Sequence, residues 1–164
     1  MKLQFLLVLF LCTGFLLQAS PRRHSRKHKN ETNIISVTMQ RTGCYGRCEV
    51  YSVELTNNGI AYYNGIKFTK DTGLYRKDIG KEKTMKIISE LELFCADTCK
   101  ERYTNRIADL PGILYTIVYK TKTIHISNAH FGPYFLKDIA THIDDAAQKT
   151  NDEGWVKVNY PDEK

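Results

Sequence analysis

The chain predicts an α+β domain in which two helices pack on one face of an antiparallel sheet. Three observations carry that prediction. Residues 34–79 alternate apolar and polar side chains in short runs broken by Asn, Asp and Gly. Two later stretches change to a helical stripe, and a pair of strands joined by a short turn lies between them. An antiparallel sheet must bury one face, and two one-sided helices are available to cover it.

The first strand is read from Ile35, Val37 and Met39, which alternate with Ser36, Thr38 and Gln40. Tyr51, Val53 and Leu55 repeat the pattern in a second strand. Asn57-Asn58-Gly59 marks a turn, because Asn and Gly adopt positive φ at little cost. Residues 60–63 read as a third strand, and Asn64-Gly65 as another tight turn into residues 66–69. Asp71-Thr72-Gly73 then turns the chain into residues 74–79, for a meander of about five short strands.

From Lys81 the period changes. Ile87, Ile88, Leu91, Phe94 and Cys95 recur at helical spacing, and the helix is expected to fray near Asp97-Thr98-Cys99. A polar loop through Tyr103 and Asp109 reaches the breaker Leu110-Pro111-Gly112. Residues 113–120 and 123–127 form the hairpin. The first of these strands is apolar on both faces and is expected centrally in the sheet. Pro133 suits a first helical turn. Leu136, Ile139, Ala140, Ile143, Ala146 and Ala147 then make the second stripe, and residues 154–160 a last extended segment.

Before the domain, residues 1–20 read as a signal peptide: Lys2, an apolar run over 3–17, then small residues at Ala19-Ser20. Residues 21–33 form a basic, disordered spacer, residues 34–158 the single domain and residues 159–164 a tail. The apolar run is short for a membrane span. The positive charges behind it also suit an inverted anchor with a cytosolic domain, so export is the expectation and the anchor its alternative. Asn30-Glu31-Thr32 matches a glycosylation sequon, which matters only in a eukaryotic secretory pathway.

The net charge of +6 does not belong to the domain. Of 24 Lys and Arg, Lys2 lies in the leader and five lie at Arg22, Arg23, Arg26, Lys27 and Lys29. The remaining 18 equal the 18 acidic residues. A folded basic face for nucleic acid is therefore not expected. The basic tail suits weak contact with an anionic surface.

The densest chemistry lies at Arg41-Thr42-Gly43-Cys44-Tyr45-Gly46-Arg47-Cys48-Glu49-Val50-Tyr51. Four cysteines follow the leader at two identical spacings, Cys44-x3-Cys48 and Cys95-x3-Cys99. An even count behind a signal peptide favours disulfides, whether each pair closes on itself or the pairs cross-link. The same four residues are also candidate zinc ligands. A redox role for Cys44 and Cys48 is a further alternative, since Arg47 beside Cys48 would favour a thiolate. His125 is expected to point outward between Ile124 and Ile126, and His130 and His142 belong to no metal motif. Asp109 is expected to anchor a turn. Asp144 and Asp145, late in a helix, call for a basic partner. There is no phosphate loop, nucleophile elbow or triad, and no cofactor is expected.

Arg41, Cys44, Gly46, Cys48 and Tyr51, followed by Gly59, Tyr63 and Gly65, resemble an uncharacterised family of bacterial secreted domains. Its signature is Cys-x-Gly-x-Cys-Pro-x-Tyr ahead of a Gly-rich meander. Tyr103, Asp109-Leu110-Pro111, Pro133, Leu136, Ile143-Asp144 and Trp155 fall in the family's order. The resemblance spans residues 34–155 and implies the fold and export, without an activity. Glu49 stands where the family has proline, and Cys95 and Cys99 are an addition to the signature. A pair added together implies pairing within each spacing, Cys44 with Cys48 and Cys95 with Cys99. The expected role is that of an exported, monomeric, non-enzymatic domain that binds a protein or envelope component through its sheet or the loops near Cys44.

Overall fold

The computed structural model describes residues 32–104, 109–147 and 154–159. The leader, the basic run over 22–29 and the end of the tail lie outside these residues. Seven strands form one open antiparallel sheet: β1 (Ile34–Arg41), β2 (Val50–Thr56), β3 (Ile60–Lys67), β4 (Gly73–Asp78), β5 (Ile113–Tyr119), β6 (Thr123–Ile126) and β7 (Val156–Lys157). Their order across the sheet is β6-β5-β1-β2-β3-β4-β7. Helices α1 (Lys81–Leu93) and α2 (Tyr134–Ala146) both pack on one face.

The register explains the core. Val37, Met39, Val53, Leu55, Ala61, Ile113, Tyr115, Ile117 and Ile126 occupy the helix-facing positions of five strands and are all buried. Ile88 and Leu91 of α1 and Leu136, Ile139 and Ile143 of α2 meet them at 0–1 % exposure. Each such side chain contributes about 1.5–3 kcal/mol by leaving water. Tyr115 is buried in this layer, and its hydroxyl donates to the Leu136 carbonyl at 2.6 Å, tying α2 to the sheet. Past the helices, an aromatic row continues the inner face. Tyr63 lies 5.6 Å from Tyr51, 6.5 Å from Tyr75 and 6.3 Å from Trp155, centroid to centroid.

Several expectations are corrected. Asn64-Gly65 is not a turn: β3 runs straight through it and pairs with both neighbours. Gly65 is buried, and a Cβ there would stand 1.9 Å from the Asp71 carbonyl oxygen, so the close approach requires glycine. The glycine marks close backbone approach, so residues 34–79 hold four strands. β5 is paired on both sides but lies one strand from the edge. Helix α1 ends at Leu93, so Phe94 and Cys95 leave the apolar stripe and are exposed. Cys95 adopts φ 51°, the left-handed conformation that ends a helix and turns the chain into the short Ala96–Thr98 helix. The expected turn at Gly59 is present, with its amide donating to Thr56 O at 3.1 Å. The final extended segment is present as β7 on β4.

Candidate functional site

Arg41 closes β1, and Tyr51 stands opposite it on β2, both on the helix-facing side. Late in α2, Asp144 is carried over this pair. Arg41 Nε and Nη2 donate to Asp144 Oδ2 at 3.2 and 2.5 Å, and Tyr51 Oη donates to Oδ1 at 2.7 Å. Arg41 and Asp144 side chains are each only 26 % exposed, so the pair is partly shielded from water. Burial by itself would lower the Arg41 pKa, but the hydrogen bond and charge of Asp144 outweigh it and the pKa is raised. The basic partner expected for Asp144 is therefore Arg41, 103 residues away in sequence. With three donors on one carboxylate, this cluster fastens α2 to the end of the sheet.

The Tyr51 hydroxyl is held well above its ordinary value, by burial first and then by Asp144. Burial does the same to Tyr115, and burial followed by the charges of Asp97 and Glu92 pushes Tyr119 up to about 12. These phenols hold their protons more tightly folded than unfolded. Their contribution to stability is complete below the ordinary value of 10.0 and is lost as pH climbs toward the folded values. The urea midpoint is thus expected to fall between pH 10.0 and about 12, and less steeply in Tyr51→Phe. An equal alkaline slope in the variant would remove Tyr51 from this account.

The loop leaving Arg41 carries Cys44 and Cys48, whose sulfurs are joined, with Cα atoms 5.6 Å apart. Cys95 and Cys99 are free thiols, contrary to the pairing that the resemblance implied. The short helix Ala96–Thr98 separates them, leaving Cys95 exposed while Cys99 packs against the core. Burial raises the pKa of the Cys99 thiol, against a lowering contact from the Tyr103 hydroxyl. The two cysteine pairs also lie at opposite ends of β1. Cys44 follows its last residue, whereas Glu92, three residues before Cys95, holds Thr32 and Asn33 ahead of its first. An eight-residue strand separates them by roughly 23 Å, which rules out both cross-links and a shared four-thiolate zinc site. No three metal-ligating side chains converge among the described residues.

Other signature residues disperse. Arg47 lays its guanidinium over the Phe68 ring, 5.6 Å from the centroid. Neither Gly43 nor Gly46 of this loop adopts a positive φ. A Cβ on Gly46 would meet only Cys44 Sγ at 3.9 Å. Asp109 sits exposed at φ 69°, a turn conformation, and joins none of the others among the described residues. His125 does point outward, 3.1 Å from Thr116 Oγ1. His130 instead points inward, accepting from the Ile113 amide at 3.3 Å, and its pKa is lowered by burial, then by Lys137 and Arg41.

The opposite face of the sheet presents a different arrangement. Register places Thr38, Glu54, Tyr62 and Arg76 side by side on β1, β2, β3 and β4. At one strand spacing per step the row spans roughly 14 Å. Ser52 and Asn64 form the neighbouring row. These six residues line one shallow groove of about 730 Å³, closed at the β7 end by Val158 and Asn159. The side chains of Glu54, Tyr62 and Arg76 make no hydrogen bond or ion pair among the described residues. None was singled out from sequence. The only signal was their place on the polar phase of alternating strands, and that phase does not reveal which residues become neighbours.

The fold and its fastened corner define a single α+β domain with one sheet face covered by helices. Residues 35–147 match the model of the family described as Domain of unknown function (DUF6438), and the chain belongs to that family. No curated protein and no solved structure is found to match it.

Proposed function

We propose that this is an exported, non-enzymatic domain that binds an extended polar component of the cell envelope, a protein segment or a surface polymer, on its open sheet face. The observation that carries the reading is the Thr38–Glu54–Tyr62–Arg76 row, where carboxylate, phenol and guanidinium have no side-chain hydrogen bond or ion pair among the described residues. Tyr and Arg are among the residue types that most often dominate binding energy, and the strands already fix their backbones. A ligand crossing the strands would meet a polar group at each step. The sequence supports export through its leader, and the Cys44–Cys48 bond suits an oxidising compartment.

The test uses the purified protein as bait on native envelope fractions, beside Glu54→Ala and Arg76→Ala. Loss of a retained component in both variants, with unchanged thermal unfolding, is the expected result. Retention of the same component by both variants would refute the reading. Loss of an interfacial hot-spot side chain reduces affinity about tenfold or more.

A further inference from the structure

The end of the sheet that carries the Cys44–Cys48 loop also carries an exposed aromatic patch. The register of β2 on β3 shifts between the pairs Val50–Lys67 and Tyr51–Gly65, which makes Ile66 an extra residue on β3. Such a bulge bends its strand and re-aims the side chains beside it. Phe68 follows at φ 60°, a left-handed conformation that costs energy for a bulky side chain. Ile66 and Phe68 are left 51 % and 43 % exposed, and Tyr45, inside the disulfide-closed loop, is 92 % exposed.

Two cations converge on this patch. The Arg47 guanidinium stands 5.6 Å and the Lys67 ammonium 4.8 Å from the centre of the same Phe68 ring. Neither makes an ion pair among the described residues. Lys70, exposed in the β3–β4 connection, adds a third cation. Two carboxylates lie in these segments. Asp71 is already engaged by other residues, which leaves Glu49 against three cations. An excess of positive charge thus stands beside exposed aromatic surface, and one occupant satisfies both. A carboxylate meets the two converging cations, with Arg47 able to fork it. Apolar side chains next to that carboxylate would cover Tyr45, Ile66 and Phe68. A phosphate-bearing polymer would meet the cations and leave the apolar surface wet.

We propose that this end of the domain binds an acidic segment of a partner protein, with an Asp or Glu carboxylate held by Arg47 and Lys67 and neighbouring apolar side chains seated on Tyr45, Ile66 and Phe68. Tyr and Arg are frequent interfacial anchors. The Cys44–Cys48 bond closes the loop around Tyr45 and Arg47, so their backbone is ordered before the partner arrives and less entropy is lost on binding. The site shares no residue with the groove on the open sheet face.

The test is fluorescence polarisation of labelled peptides with the full-length protein. The peptides carry Glu between Leu and Phe residues and an amidated C-terminus, and a matched set carries Gln for Glu. Binding of the Glu peptides is expected, falling with added salt, and about tenfold weaker for the Gln peptides. Arg47→Gln and Tyr45→Ser should each weaken it about tenfold at unchanged circular dichroism. Both substitutions alter exposed side chains, so the fold is not at risk. Four results would overturn the proposal: no binding of any Glu peptide, equal binding of the Gln peptides, binding that both variants leave intact, or binding of polyphosphate in place of the Glu peptides. The sheet-face variants Glu54→Ala and Arg76→Ala are expected to bind the peptides normally, which separates this outcome from that of the envelope ligand.

Discussion

Asp144→Ala is expected to lower the unfolding free energy by about 2–3 kcal/mol, read from the urea midpoint at neutral pH. The substitution removes one carboxylate and strands three donors on two residues. Arg41 and Tyr51 both end on this carboxylate, and Arg41 and Asp144 are each only about a quarter exposed. A pair this shielded is not comparable with a surface ion pair, whose median contribution is about 0–1 kcal/mol. Leaving the guanidinium half-buried without its anion is the larger part of the cost. Tyr51→Phe deletes one donor and should cost about 1 kcal/mol. A double-mutant cycle of Arg41 with Asp144 should give a coupling well above that of an exposed pair. Near-zero coupling would mean that α2 is held by its apolar stripe and by the Tyr115 hydroxyl alone.

Gly65→Ala should destabilise the domain by about 1–3 kcal/mol, the usual range for an overpacked site, or prevent folding outright. The strain at Gly65 is steric, since its φ is not among the positive values. The added methyl would stand 1.9 Å from the Asp71 carbonyl oxygen and 2.7 Å from Thr69 Oγ1. The first of these is backbone in the β3–β4 connection and cannot swing aside. Gly46→Ala, in the signature loop, is the matched control and should change the midpoint little, because its Cβ would find only ordinary contact. Equal midpoints for the two variants would show that the β3–β4 connection yields to the methyl.

The signature loop and the fastening at Asp144 together define one corner of the domain. The Cys44–Cys48 bond holds the chain between β1 and β2, while Arg41 and Tyr51, on either side of that loop, reach the same carboxylate. The stretch with the densest chemistry in the sequence thus joins the first two strands to the last helix. The Thr38–Glu54–Tyr62–Arg76 row lies across the sheet from them, on its other face.

Much of this was legible in the chain itself, because local periodicity is a local property. Alternation at Val37 and Met39 and in 51–55 and the helical stripes over 87–91 and 136–147 each mark which side of an element is buried. Ile35, read in phase with Val37, is exposed and Ile34 buried instead, because β1 shifts register between Ile34 and Ser36. Two helices and an antiparallel sheet follow from those stripes without knowledge of any long-range contact. Asn57-Asn58-Gly59 was readable as a turn for the same reason, since its requirement is a backbone angle. Asn64-Gly65 had the same local appearance and a different cause: the glycine there serves Asp71, and only the packed sheet reveals the approaching carbonyl. Likewise, two equal cysteine spacings in the sequence became one bond and two free thiols. The first pair spans a compact loop between paired strands, and the second brackets a helix end.

Which residues become neighbours was decided by strand order and register alone. The pairing of β1 with β5 across a helix, the meeting of Arg41 with Asp144, and the alignment of Thr38, Glu54, Tyr62 and Arg76 all join residues far apart in the chain. A one-residue slip in any pairing would break the row and reverse a strand's faces, and no local signal records it. The chain thus specifies most of its elements and their buried sides by itself. Its candidate sites exist only once burial of one sheet face has chosen the register.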